Sequence, residues 1–182
     1  MLRLRDLMQR DVLAVSPDLT LRELVEIFSE EGVSGAPVVA NDTVIGVIST
    51  TDILDFQEES AGLSLAPGAS EDEPETARRK RGSSTPASEF FSEGWEPPDI
   101  DALQWMRSTR TRDWDILDQH SVGDVMTRDV LSLPSDATVK SAARFMLEAG
   151  VHRLLVIDGG ELQGIVTTTD IVRAVAEGKL KG

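Results

Sequence analysis

Thr167-Thr168-Thr169-Asp170 closes a β-rich apolar run and opens an amphipathic one. A strand ends there and a helix begins. A helix N-terminus presents unpaired N–H groups and a partial positive charge, which favours a phosphate. A carboxylate at that point can accept two hydrogen bonds from a ribose diol, and a threonine hydroxyl three residues earlier can donate one. The same Ser/Thr-x-x-acid spacing also makes a capping box, which satisfies the helix's own N–H groups with no ligand at all. The residues alone leave both readings open. Ser49-Thr50-Thr51-Asp52 carries the same pattern. His152-Arg153 adds a second kind of chemistry, because the arginine fork suits a phosphate and a histidine can add one more donor. The plainer alternative for that pair is a solvated loop with an arginine salt bridge.

Other chemistries have no residues to carry them. The chain has no cysteine and only two histidines, His120 and His152, so disulfides, thiolate–metal sites and thiol catalysis are excluded. No phosphate-binding GxxxxGK[ST] loop, GxGxxG, HExxH or GxSxG motif occurs. We therefore expect no catalytic residue, no metal ligand set and no required cofactor. Acidic residues number 32 against 18 basic ones, a net charge of −14. That field repels nucleic acid and anionic membranes. The longest aliphatic stretches, such as 44–48, run about five residues, far short of the ~20 of a membrane span. The charged N-terminal stretch MLRLRDLMQRDVL does not read as a signal peptide. The expectation is a cytoplasmic protein with neither membrane insertion nor a nucleic-acid partner.

The elements that position these residues are written twice. Shifted by 118 positions, residues 6–54 align with 124–172 without a gap, and about 17 of the 49 positions are identical. Each copy predicts a short lead-in helix and a strand (12–15; 130–133). Thr20 and Thr138 then cap a helix of about eleven residues, which Gly32 and Gly150 end. Leu21, Leu24, Val25 and Phe28 form the buried stripe of the first such helix, and Val139, Ala142, Ala143 and Met146 that of the second. A hairpin follows (37–39 with 44–49; 154–157 with 162–167), and a last helix opens near Thr51 and Thr169. The predicted class is α/β (α+β): two β-α-β-β-α units, residues 1–56 and 119–182, interrupted by a long insertion.

The insertion divides in two. Residues 57–89 are rich in Ser, Gly, Ala, Pro and Glu and predict a flexible acidic linker. Its Arg78-Arg79-Lys80-Arg81 run reads as a solvated charge run. Residues 90–118 hold Phe90, Phe91, Trp95, Trp105 and Trp114, with a helix predicted over 101–110. This aromatic segment is expected to pack on its own domain, the alternative being a protein partner.

Leu7-Met8, the strand 12–15 with its Ser16-Pro17 exit, Gly32-Val33, Pro37-Val38-Val39 and above all Gly46-Val47-Ile48-Ser49-Thr50-Thr51-Asp52 resemble the paired cystathionine-β-synthase (CBS) domain, or Bateman module. Gly164-Ile165-Val166-Thr167-Thr168-Thr169-Asp170 repeats the most specific piece. The resemblance covers both units and not the insertion. It implies units paired through their sheets with pseudo-twofold symmetry, two clefts, a homodimer, and a regulatory module that is not an enzyme. It also implies an adenosine-containing ligand of the AMP, ADP or ATP type. The resemblance assigns Asp170 to ribose, and Thr167 and Thr169 to ribose or phosphate; Asp52, Ser49 and Thr51 match in the first unit. Gly150-Val151-His152-Arg153-Leu154 is similar to the repeats of kinase regulatory gamma subunits in which His and Arg contact phosphate. The first unit has Ser34-Gly35 there instead. Segment charge points the same way: residues 1–55 carry a net charge of −6 and residues 119–182 one of −1, so an anion should favour the second site. Arg128, Lys140 and Arg173 are further candidates for phosphate. Ligand binding is expected to alter the angle between the units or the packing of the insertion, which an unidentified protein partner senses. The competing expectation is a ligand-free dimeric scaffold that uses the aromatic insertion. Asp170→Ala is expected to weaken ligand binding with little effect on folding.

Overall fold

A computed structural model describes residues 1–60, 90–91 and 113–179. The predicted linker beyond residue 60, the helix over 101–110, the basic run 78–81 and the side chains of Trp95, Trp105 and Trp114 lie outside the described residues.

The two copies fold alike. In the first, a 3-10 turn (Leu4–Asp6) leads through an extended stretch to α1 (Leu21–Glu31), the hairpin β1 (Gly35–Ala40) and β2 (Thr43–Ser49), and α2 (Thr50–Ser60). A helix α3 (Asp113–Gln119) precedes the second. That copy runs α4 (Val122–Val125), β3 (Ser132–Leu133), α5 (Val139–Ala149), β4 (Arg153–Asp158), β5 (Glu161–Thr167) and α6 (Thr168–Ala176).

Local sequence explains most boundaries. Thr20 accepts the Glu23 N–H while the Glu23 carboxylate accepts the Thr20 N–H, a complete capping box at the start of α1. Thr138 caps α5 through the Ser141 N–H. Gly32 and Gly150 end the two helices at φ +65° and +67°, a left-handed conformation that glycine adopts without a Cβ penalty. Asn41 and Asp42, both at positive φ, form the two-residue turn between Ala40 and Thr43, and Gly159-Gly160 does the same between Asp158 and Glu161. The last helices begin at Thr50 and Thr168, one residue before the predicted opening, because Ser49 and Thr167 take the capping position.

Among the described residues, the strand predicted over 12–15 fails to form. It is reduced to a single parallel bridge, Val15 to Val38. Its counterpart keeps two pairs, Ser132 with Leu155 and Leu133 with Val156. The cause is in the neighbouring strand. Leu155 donates its N–H to Leu131 in the second unit, whereas the equivalent residue in the first is Pro37, which has no N–H to give to Leu13.

Each unit is completed by the other's lead-in. The Leu4 N–H bonds Ala137 O, and Gln9 and Ile165 exchange both of their backbone hydrogen bonds. Reciprocally, Val122 and Gly123 donate to Leu19 O and Pro17 O, and Val47 exchanges both bonds with Thr127. The bridges Arg3–Thr138 and Thr20–Ser121 are related by the 118-residue shift, as are Gln9–Ile165 and Val47–Thr127. This is pseudo-twofold symmetry expressed in hydrogen bonds. Glycines in mid-strand permit it: a Cβ on Gly46 would lie 2.6 Å from Thr127 O, and one on Gly164 would land on Gln9 O. The two apolar cores follow the exchange. The second unit's core takes in Leu4 and Met8, together with Phe90 and Phe91. The first unit's core takes in Leu117 and Val122. Among the described residues, no helix is long and apolar enough to cross a membrane.

Candidate functional site

The end of β5 and the start of α6 bring Thr167, Thr169 and Asp170 together, and β4 runs alongside with Arg153 in register opposite Thr167. Asp170 is only 4% exposed. Its Oδ2 accepts the Thr167 N–H at 2.9 Å and the Thr167 hydroxyl at 2.7 Å. The Thr167 hydroxyl oxygen in turn accepts the Asp170 N–H at 3.3 Å. The capping box is therefore real. It coexists with a second set of contacts on the other oxygen: Oδ1 accepts from Gln9 Nε2 at 3.3 Å and from Arg173 at 3.2 Å. Burial and four donors make Asp170 a structural residue as well as a candidate ligand contact, so the expectation that Asp170→Ala leaves folding almost untouched does not stand.

Arg173, a candidate for phosphate on sequence grounds, is thus placed on the Asp170 carboxylate. Arg128 and Lys140 are exposed. Gln9 is a residue that the motif did not reveal. It reaches Asp170 from the other unit, so this site is assembled from both copies. The signal for it is the glycine in the middle of β5, since Gly164 exists to let the Gln9 backbone cross the strand.

His152 and Arg153 sit at the start of β4. The His152 carbonyl accepts the Thr168 N–H at 2.9 Å, tying this end of β4 to the first turn of α6. His152 is exposed, and its backbone N–H donates to Phe91 O at 2.7 Å. Arg153 is half-buried, with its guanidinium carbon 5.4 Å from the centre of the Phe90 ring. A cation, a helix N-terminus and a buried carboxylate therefore converge on one strand end.

The first unit repeats the frame with fewer charges. Asp52, 4% exposed, accepts the Ser49 N–H and hydroxyl on Oδ2, both at 2.7 Å. The Ser34 carbonyl accepts the Thr50 N–H at 2.8 Å, as His152 does for Thr168. Thr51 is half-buried in the first turn of α2. Ser34 and Gly35 stand where the second unit has His152 and Arg153, so neither of these two positions supplies a cation.

Known proteins share the repeated sequence pattern and the fold. A sequence profile of the CBS domain matches residues 4–59 and 122–177. The uncharacterized protein MJ1426 of Methanocaldococcus jannaschii is 28% identical, the match covering 94% of this chain and 90% of that protein. MJ1232 of the same organism is 26% identical over 92% of this chain, which spans only 37% of MJ1232. Among solved structures, CBSX2, determined in complex with AMP, superposes with a TM-score of 0.59 at 22% identity, covering 98% of this chain and 99% of that one. The CBS domain pair of MJ0100, in complex with 5′-methylthioadenosine and S-adenosyl-L-methionine, gives a TM-score of 0.52 at 15% identity, covering 97% of each chain. These structural likenesses speak to the fold. With the profile matching two segments that together make up more than half of its residues, the chain belongs to the CBS domain family and carries two copies of the domain as a pseudo-symmetric pair.

Proposed function

We propose that this protein is a regulatory module that binds an adenosine nucleotide at the Asp170 site and does no chemistry on it. One observation carries the reading: Arg153 lies in register with Thr167, beside a helix N-terminus whose first turn holds the buried Asp170 carboxylate. Cation and N–H groups suit a phosphate, and the carboxylate suits a diol. The ribose has a definite approach. The Oδ2 contacts from Thr167 are short and local, so that oxygen stays committed to the cap. Oδ1 holds the two longer contacts, from Gln9 and Arg173, and these are the ones a ribose hydroxyl exchanges with or joins. AMP bound to CBSX2, and the adenosyl ligands bound to the MJ0100 pair, support an adenosine-containing ligand for this chain as well. The Asp52 site, without a cationic pair, is the weaker of the two.

Because Gln9 reaches the site from the opposite unit, a ligand there contacts both copies. It thereby gains the differential affinity needed to bias their relative position. The scaffold alternative loses part of its material: Phe90 and Phe91 are 1% and 0% exposed, so these two aromatics are spent inside the molecule and cannot form a partner's epitope.

The test is calorimetric titration of the nucleotide-free chain with AMP, ADP, ATP, S-adenosylmethionine, NAD and a guanine nucleotide, repeated on Arg153→Gln. Saturable binding of an adenine ligand, weakened by roughly tenfold in the variant for a phosphate-bearing one, is the expected result. That factor is about the worth of one charge-assisted hydrogen bond. Folded protein that binds none of them would overturn the reading.

A further inference from the structure

Four donors converge on the Asp170 carboxylate: the Thr167 N–H and hydroxyl on Oδ2, and Gln9 Nε2 and the Arg173 guanidinium on Oδ1. A carboxylate accepts about four hydrogen bonds, about two at each oxygen. This one is full. A sugar hydroxyl can donate to it only by displacing a donor already there. The two threonine contacts, at 2.9 and 2.7 Å, belong to the helix cap. The arginine contact, at 3.2 Å, joins opposite charges. The Gln9 contact, at 3.3 Å, comes from a neutral amide. Charge-assisted bonds are the stronger kind, so the amide is the donor that yields.

Gln9 does not leave the site when it yields. Its backbone N–H and carbonyl both bond Ile165, each at 2.9 Å, and Gly164 gives its main chain room to lie against β5. What turns is an exposed side chain ending in an amide, which carries two N–H donors and a carbonyl acceptor. The two hydroxyls of a ribose stand on adjoining carbons, so a group displaced from Oδ1 by one is within reach of the other. We infer that Gln9 is the second reader of the sugar: one hydroxyl takes its place on Asp170 Oδ1, and the adjacent hydroxyl pairs with the Gln9 amide. The site then selects a vicinal diol over a single hydroxyl, and a ribose over a deoxyribose. The inference rests on the nucleotide reading of that site. It puts sugar specificity at the junction of the copies, since Gln9 belongs to the first copy's lead-in and Asp170 to the second copy. The repeat supplies a contrast. Shifted by 118 positions, Gln9 becomes Thr127 and Arg173 becomes Asp55, so these positions give the first unit neither an amide nor a cation.

AMP, 2′-deoxy-AMP and 3′-deoxy-AMP share base and phosphate and differ by one hydroxyl, so their affinity ratios isolate the sugar. The unaltered full-length chain, Gln9→Met and Gln9→Ala are titrated calorimetrically with all three, after melting curves have shown each to be folded. Methionine keeps the unbranched length of glutamine but offers only a weak acceptor; alanine removes the amide without replacing it. The unaltered chain is expected to bind both deoxy analogues more weakly than AMP, one by roughly tenfold or more and the other by roughly three- to tenfold. In both variants the ratio of AMP to one analogue is expected to collapse to about one, while the ratio to the other persists. The ratio is the readout because losing the amide also frees Oδ1 in the empty site. Equal affinity for AMP and both analogues in the unaltered chain overturns the inference. So does a preference for AMP that the variants leave intact against both analogues, or lower equally against both. If the unaltered chain binds none of the three, the nucleotide reading itself fails and takes this inference with it, whereas AMP binding with ratios indifferent to residue 9 removes the inference alone.

Discussion

Replacing Asp170 by alanine and by asparagine separates its two roles. Alanine removes every contact of the carboxylate. The Thr167 N–H at 2.9 Å and hydroxyl at 2.7 Å lose a charged acceptor in a largely buried setting, where such bonds are worth about 1.5–3 kcal/mol each at most. The two overlap, because the threonine hydroxyl turns to other acceptors once freed. The Arg173 pair adds little, since the arginine side chain is 60% exposed and solvent screens it. A net cost of roughly 2–4 kcal/mol follows from the local contacts. For a chain of this size each kcal/mol moves the melting temperature by about 2–4 °C, so Asp170→Ala should melt roughly 4–16 °C lower. Asparagine keeps one carbonyl oxygen, which can still accept the Thr167 N–H. Its cost in stability should be about half that of alanine. With the asparagine carbonyl oxygen held by the cap, its NH2 group stands where Oδ1 accepts, so the ribose loses its acceptor. The dissociation constant for AMP should then rise by at least tenfold, since each 1.4 kcal/mol is a factor of ten.

The assays are a calorimetric melt of the three proteins, then titration with AMP at a temperature where all three are folded. Stability and affinity then come from independent measurements. A melting temperature for Asp170→Ala within about 2 °C of wild type would refute the energetics assigned to the cap. An affinity of Asp170→Asn within about twofold of wild type would refute the assignment of the carboxylate to ribose.

The crossing of the lead-in over β2 is equally open to test. Gly46→Ala drives a Cβ to 2.6 Å from Thr127 O and 3.0 Å from Met126 Sδ, which costs about 1–3 kcal/mol in overpacking and endangers the two Val47–Thr127 hydrogen bonds. Urea unfolding should show roughly 2–4 kcal/mol of lost stability, and a change near zero would mean that the lead-in does not cross there. Acid should weaken the fold through its caps and turns. The Thr20 N–H and hydroxyl hold the Glu23 carboxyl below its ordinary 4.5, Ser121 does the same for Asp124 below 3.8, and Ser135 for Asp158 below 3.8. A carboxylate whose pKa is depressed in the folded state contributes stability above its unfolded pKa and loses it as pH falls through the folded value. Melting temperature should therefore hold down to about pH 5 and decline below pH 4.5, whereas a rise on acidification in that window would reverse the sign of the argument.

What could be read from the sequence was what is local or periodic. Caps at Thr20 and Thr138, left-handed stops at Gly32 and Gly150, and the two-residue turns depend on neighbours within four or five positions, and each appears where its residues stand. The buried stripe Leu21, Leu24, Val25 and Phe28 follows from helical spacing alone. The missing strand at 12–15 required knowing which residue lies across from it, namely Pro37. Position 9 reaching position 170 is a tertiary fact too, and no spacing rule within one repeat contains it. The exchange of lead-ins nevertheless left a mark: Gly46 and Gly164 are glycines in the middle of apolar strands, where glycine is otherwise a liability. The placement of Phe90 left a weaker one, a small residue at 35 where the other copy has a large one.

That last asymmetry bears on why the two sites differ. A strictly symmetric pair would place a cation at position 35 as well as at 153. Phe90 is a single side chain lying between those positions, and its ring leaves no room for a Cβ at 35. The two copies therefore cannot both keep an arginine there while the insertion is seated. Gly35 gives up the first site's cation and makes the seat, and Arg153 receives the ring. The small residue at 35 and the arginine at 153 are therefore not independent differences between the copies. They are two consequences of placing one aromatic residue between positions 35 and 153.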